Sequence, residues 1–114
     1  MKMRFEQRGG LGLLLVEEAR IDASVAIQFK DQLRDLTQGG AGDVILDLSR
    51  VVFLDSSGLG ALVAARKMLG ADRVLELCGL TPAVDRVMVL TRMNSIFPIH
   101  RDLQTALAIR ADAS

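Results

Sequence analysis

The segment Val44-Ile45-Leu46-Asp47-Leu48 is apolar on both faces of an extended chain except at Asp47. A strand of that kind must be covered on both sides, which places it at the centre of a layered domain. Its flanks agree. Upstream, Val25, Phe29, Leu33 and Leu36 recur at three- and four-residue steps, with Lys30, Asp31, Arg34 and Asp35 largely opposite, the pattern of an amphipathic helix. Asp22 or Ser24 is placed to cap its start, and Gln38-Gly39-Gly40-Ala41-Gly42 ends it, since glycine accepts the left-handed backbone at a helix C-terminus. Downstream, Val51 to Leu54 extends the apolar run, and Leu59, Leu62, Val63, Arg66 and Leu69 mark a second helix closed by Gly70.

The remaining segments continue the alternation. Met3 to Gln7 alternates apolar and polar residues, Gly9-Gly10 supplies a turn, and Leu11 to Val16 returns as the second arm of a hairpin. Arg73 to Leu77 is a short strand. Thr81-Pro82 announces a third helix, with Thr as N-cap and Pro in the first turn, and Val84, Val87, Met88 and Thr91 on its inner face. Ile96 to Ile99 reads as a Pro-containing edge strand, and Leu103, Ala106 and Leu107 belong to a short terminal helix. The expected architecture is a single α/β domain over residues 3–110, with a mixed β-sheet packed by about four α-helices and a frayed tail at Ala111 to Ser114.

Composition narrows the function classes. The 114 residues suffice for one domain, and half are hydrophobic, enough for a packed core. Charge balances at 14 Lys plus Arg against 14 Asp plus Glu, with no dense basic run, which argues against direct DNA binding by bulk electrostatics. With no Trp or Tyr and only four Phe, no aromatic platform for single strands is expected. Cys78 is the only cysteine, so no intramolecular disulfide can form, which fits a reducing cytoplasm. The apolar stretch Leu11 to Val16 is short and ends in Glu17-Glu18, so it is neither a signal-peptide core nor a membrane span.

Chemistry concentrates at Asp55-Ser56-Ser57-Gly58-Leu59-Gly60, where a strand gives way to a helix. Helix N-termini carry unpaired N–H groups and a partial positive charge, so a phosphate on a hydroxyl there is well placed. The glycines remove bulk where another protein's active site would approach the backbone. The same residue types also serve as ordinary helix caps, and the two roles are compatible. No phosphate-binding loop follows, and Gly58-x-Gly60 is too little for a dinucleotide fingerprint. No base–nucleophile pair or metal-ligand cluster is visible, so neither an enzyme nor a bound cofactor is expected. His100 reads as a surface or capping residue and Cys78 as a small apolar filler. Asp47 is either exposed on one face or bonded to backbone near the junction.

Three segments carry a resemblance: Ala19-Arg20-Ile21-Asp22, Val44-Ile45-Leu46-Asp47-Leu48 and, above all, Phe53-Leu54-Asp55-Ser56-Ser57-Gly58-Leu59-Gly60. With the patterns around Leu75 to Leu80 and Phe97 to Leu107, the chain resembles the stand-alone STAS domains of bacterial anti-sigma factor antagonists over nearly its whole length. The resemblance implies partner switching. The unmodified antagonist binds an anti-sigma factor that is also a serine kinase of the histidine-kinase-like ATPase fold, and so releases a sigma factor. That kinase phosphorylates the serine after the motif aspartate, here Ser56, and a metal-dependent phosphatase reverses it. It implies partner contacts at Asp22, Ser24, Asp55, Ser57, Gly58, Leu59 and Gly60, with Arg92 and Met93 placed to change which partner docks. Read from the residues alone, Met88 and Met93 are more often core than contact, and Met93, between Arg92 and Asn94, is the better candidate of the two for a flexible exposed patch. Ala19 replaces a frequent family glycine, and Arg92-Met93 stands where Gly-Leu is frequent. The alternative is a constitutive adaptor subunit of a transporter or signalling complex, with Ser56 and Ser57 merely capping the helix.

Overall fold

The computed structural model describes residues 1–113, the last three by their backbone alone, and is built on a five-stranded sheet. Its strands are, in spatial order, β1 (Met3–Arg8), β2 (Leu11–Val16), β4 (Val44–Asp47), β6 (Leu75–Cys78) and β7 (Ile99–His100). β1 and β2 form the expected antiparallel hairpin, and β2, β4, β6 and β7 run parallel. The Val44 run is the central strand, and its burial on both faces explains why it carries almost no polar residue. Asp47 is half-buried, and its Oδ1 accepts the Ser49 N–H at 2.9 Å, so it ties the turn after β4 rather than the junction.

Helices α1 (Ala26–Thr37), α2 (Ser56–Leu69) and α3 (Pro82–Leu90) cover one face. Phe29, Leu33, Leu62, Ala65, Val84 and Met88 pack there on Leu14, Val16, Leu46 and Leu77. The other face is smaller: Leu13, Ile45 and Cys78 meet Ala106 of α4 (Leu103–Ala113). Of the tail expected at Ala111 to Ser114, the first three residues fall within α4 as bounded here, and Ser114 lies outside the described residues. No helix among the described residues is long and apolar enough to cross a membrane.

Several local expectations need correction. Two short strands, β3 (Arg20–Ile21) and β5 (Phe53–Leu54), form a separate parallel pair that the sequence reading did not anticipate. Two residues are too few to show a period. The Val51 to Leu54 run is not apolar core throughout: Val51 and Leu54 are buried, but Val52 and Phe53 are exposed. Thr81 does not cap α3 with its side chain; its hydroxyl donates to the Val51 carbonyl at 2.6 Å, anchoring the helix start to the segment before β5. The edge strand is only Ile99–His100, because Met93–Ser95 forms a 3-10 turn just before it.

His100 is not a surface residue. Its Nε2 lies 2.6 Å from Glu76 Oε1, and both side chains are largely enclosed under α4. Arg110 pairs with the same Glu76 carboxylate and with Asp43, at 3.1 Å for the latter. Glu76 is a buried charge in a strand otherwise read as apolar, and the two basic partners that make its burial tolerable arrive from distant parts of the chain.

Candidate functional site

Strand β5 leads directly into α2, so the register of β3 against β5 decides what surrounds the junction. Arg20 pairs with Phe53 and Ile21 with Leu54. The chains leave this parallel pair side by side, which brings the Asp22 turn next to Asp55 and Ser56. Contact between β3 and α2 is tight. A Cβ on Gly58 would lie 2.1 Å from the Ile21 carbonyl oxygen and 2.7 Å from Leu54 Cδ1, so only glycine fits.

This corrects one expectation: Gly58 is buried, and its missing side chain admits β3, not an incoming partner. Gly60 does match the open-backbone reading, since it is exposed and a Cβ there would meet nothing within 4 Å. Leu59 is half-buried and packs against the core, whereas Ser56 and Ser57 are exposed.

The cap of α2 is Asp55. Its backbone is extended, its Oδ1 accepts the Gly58 N–H at 2.9 Å, and its carbonyl accepts the Leu59 N–H at 2.9 Å. A carboxylate here also faces the positive end of the helix. The two serines therefore do not cap, contrary to the adaptor reading. Their hydroxyls make no hydrogen bond among the described residues and stand at the first two helical positions.

The neighbouring turn is ordered by Asp22. Its Oδ1 accepts both the N–H (3.0 Å) and the hydroxyl (2.6 Å) of Ser24, and its Oδ2 accepts from Arg20 Nε at 3.3 Å. The Ser24 hydroxyl, ahead of the Arg20 guanidinium, holds the Asp22 carboxyl below the usual carboxylate range. Neither Asp22 nor Ser24 caps α1, whose N-cap is Val25 with no side-chain bond. The Arg20 guanidinium lies 3.9 Å from the centroid of the Phe53 ring, a cation–π stack that joins β3 to β5 on the solvent side. Both residues belong to the segments that carry the resemblance, but nothing in the sequence pairs them, and Phe53 reads there as part of an apolar run.

On the other flank, Ser57 and Gly60 share a shallow groove of about 200 Å³ with Ile27 and Lys30 of α1. Ile27 is 70% exposed, on the helix face opposite Phe29 and Leu33. The corner thus offers two free hydroxyls, a bare helical backbone, an apolar side chain and a nearby lysine.

Arg92 and Met93 are not part of it. α3 starts beside β5 and runs back along the sheet, so its end lies toward the far end of α2, where Ile96 shares a cavity with Gly70. Met93 is half-buried and packs against the core, the first of the two readings its sequence allows. Among the described residues no group of His, Cys, Asp and Glu is placed to hold a metal ion.

The family model described as "STAS domain" matches residues 2–106. The chain belongs to the STAS domain family. This STAS domain is 28% identical over 109 residues to a protein named "Putative anti-sigma factor antagonist BtrV" from Bordetella bronchiseptica, covering 95% of this chain and 93% of that one. A crystal structure of an anti-sigma factor antagonist from Mycobacterium paratuberculosis superposes with a TM-score of 0.83 at 27% identity, over 95% of this chain and 92% of that one. The Bacillus protein SpoIIAA, solved in its phosphorylated form, shares the fold with a TM-score of 0.68 at 18% identity, over 94% and 97% of the two chains.

Proposed function

We propose that this STAS domain is an anti-sigma factor antagonist whose docking is switched by phosphorylation of Ser56. Unmodified, it binds an anti-sigma factor that is a serine kinase of the histidine-kinase-like ATPase fold, and so frees a sigma factor or another target. Phosphorylated, it lets go, and a metal-dependent phosphatase resets it. It is a substrate of those enzymes and performs no catalysis itself.

The observation that carries this reading is the Asp55 cap. Because Asp55 satisfies the Gly58 N–H, the Ser56 hydroxyl is left exposed and without a partner at the positive end of α2. A kinase can therefore reach it without first breaking a hydrogen bond. A phosphoserine adds a charge of roughly −1.5 to −2 beside the Asp55 carboxylate. Anionic bulk at a corner offering Ser57, Gly60 and Ile27 repels a partner fitted to the neutral hydroxyl. The relationship to named antagonists supports the sigma-factor output. The adaptor reading loses its rationale for the serines once Asp55 is the cap.

The test uses ATP and a candidate serine kinase of the ATPase fold, sought first among the products of genes neighbouring this one. One phosphate should appear, and mass spectrometry should locate it on Ser56. Ser56→Ala should bind the kinase yet resist modification, and Ser56→Asp should bind about tenfold more weakly or worse, since like-charge juxtaposition at an interface costs several kcal/mol. Phosphate only on other residues, or undiminished binding by the Asp variant, would overturn the proposal.

A further inference from the structure

At the opposite end of α2 from Ser56, a cavity of about 490 Å³ opens between the helix terminus and the start of β6. Three cations reach it: Arg66 and Lys67 from the last turn of α2, and Arg73 from the following loop. No carboxylate lines it. None of the three cations joins an ion pair among the described residues. The negative end of a helix amounts to roughly half an elementary charge, so it leaves most of this positive charge uncompensated. Arg73 is held in place, its Nε donating to the Gly42 carbonyl at 2.7 Å and one terminal nitrogen to the Thr37 carbonyl at 3.2 Å.

The rest of the lining is apolar or small. Val74 is 42% exposed and Ile96 36% exposed, and Pro98 completes it. Single exposed aliphatics are ordinary, but here two lie in one concavity with three cations at its rim. The volume falls within the range of small-molecule sites, roughly 300–1,000 Å³.

From this charge and shape we propose that the cavity binds an amphipathic organic anion: an acyl or aryl body against Val74, Ile96 and Pro98, with a carboxylate or sulfonate head among Arg66, Lys67 and Arg73. The site is remote from Ser56, since the 14 residues of α2 span about 20 Å, so occupancy does not block the docking corner.

The probe is 8-anilinonaphthalene-1-sulfonate, titrated into the full chain with fluorescence and amide NMR as readouts. We expect saturable one-site binding, with the largest amide shifts at Gly70, Ala71 and Val74. The Arg66→Glu, Lys67→Glu double variant should weaken binding about tenfold or more, the scale of losing charge-assisted contacts. Val74→Asp, a single exposed change, should do likewise and serves should the double variant fail to fold. Octanoate should displace the probe, whereas octylammonium and inorganic phosphate should not. Shifts centred elsewhere, unaltered affinity in the folded variants, displacement by octylammonium (a merely apolar site) or by phosphate alone (a simple anion site) would each overturn the proposal.

Discussion

Arg92 shows how a single residue can conflict with its backbone. Among the described residues it is the one non-glycine with positive φ, at 60°. It begins the turn in which its carbonyl accepts from the Ser95 N–H and hydroxyl, at 3.2 and 2.7 Å. The left-handed conformation costs an L-residue about 1–2 kcal/mol, and glycine occupies it freely. The exposed Arg92 side chain makes no ion pair among the described residues to offset this. Arg92→Gly should therefore stabilise the domain by about 0.5–1 kcal/mol, the gain being trimmed by glycine's larger entropy in the unfolded chain. A rise in the urea unfolding midpoint at unchanged slope checks it. The departure from Gly-Leu was visible in the sequence as a departure; that it sits on a strained turn away from the docking corner was not.

Among the elements, α2 contains both kinds of glycine. Gly58 faces β3 so closely that Gly58→Ala must push the Ile21 backbone away, and overpacking of this kind costs typically 1–3 kcal/mol or more. Gly60 faces open space, and Gly60→Ala should stabilise by about 0.5–1 kcal/mol through helix propensity. Thermal unfolding of the two variants should thus move in opposite directions. Two glycines separated by one leucine look equivalent in sequence. Their difference arises because the short β3–β5 pair presses on one side of the helix only. The same pressing sets Asp22 beside Asp55, and so decides which loop accompanies Ser56 on the surface.

For the whole molecule, Cys78 reports on integrity. It is buried in the smaller core between the sheet and α4. Burial, with lesser contributions from the Asp47 and Asp102 charges, pushes its thiol up to about 12. The thiolate is the reactive form, so the folded protein at pH 8 should resist iodoacetamide, and labelling should become complete only on unfolding. Fast modification of the folded chain would show that α4 lifts from the sheet independently. With no second cysteine, this single thiol gives an unambiguous readout.

The sequence by itself determined the layered α/β class, the hairpin, the central Val44 strand and the acid–hydroxyl–glycine junction. Each of these is written in local periodicity or in turn chemistry, which neighbours along the chain are sufficient to specify. It did not determine that Asp55 rather than a serine caps α2, because all three residues are good caps and only the φ/ψ at position 55 selects one. Nor did it determine the β3–β5 pair, the Arg20–Phe53 stack or the Glu76–His100–Arg110 cluster. These join residues 24 to 34 or more positions apart, and a contact across such a separation leaves no period in the chain for local patterning to reveal.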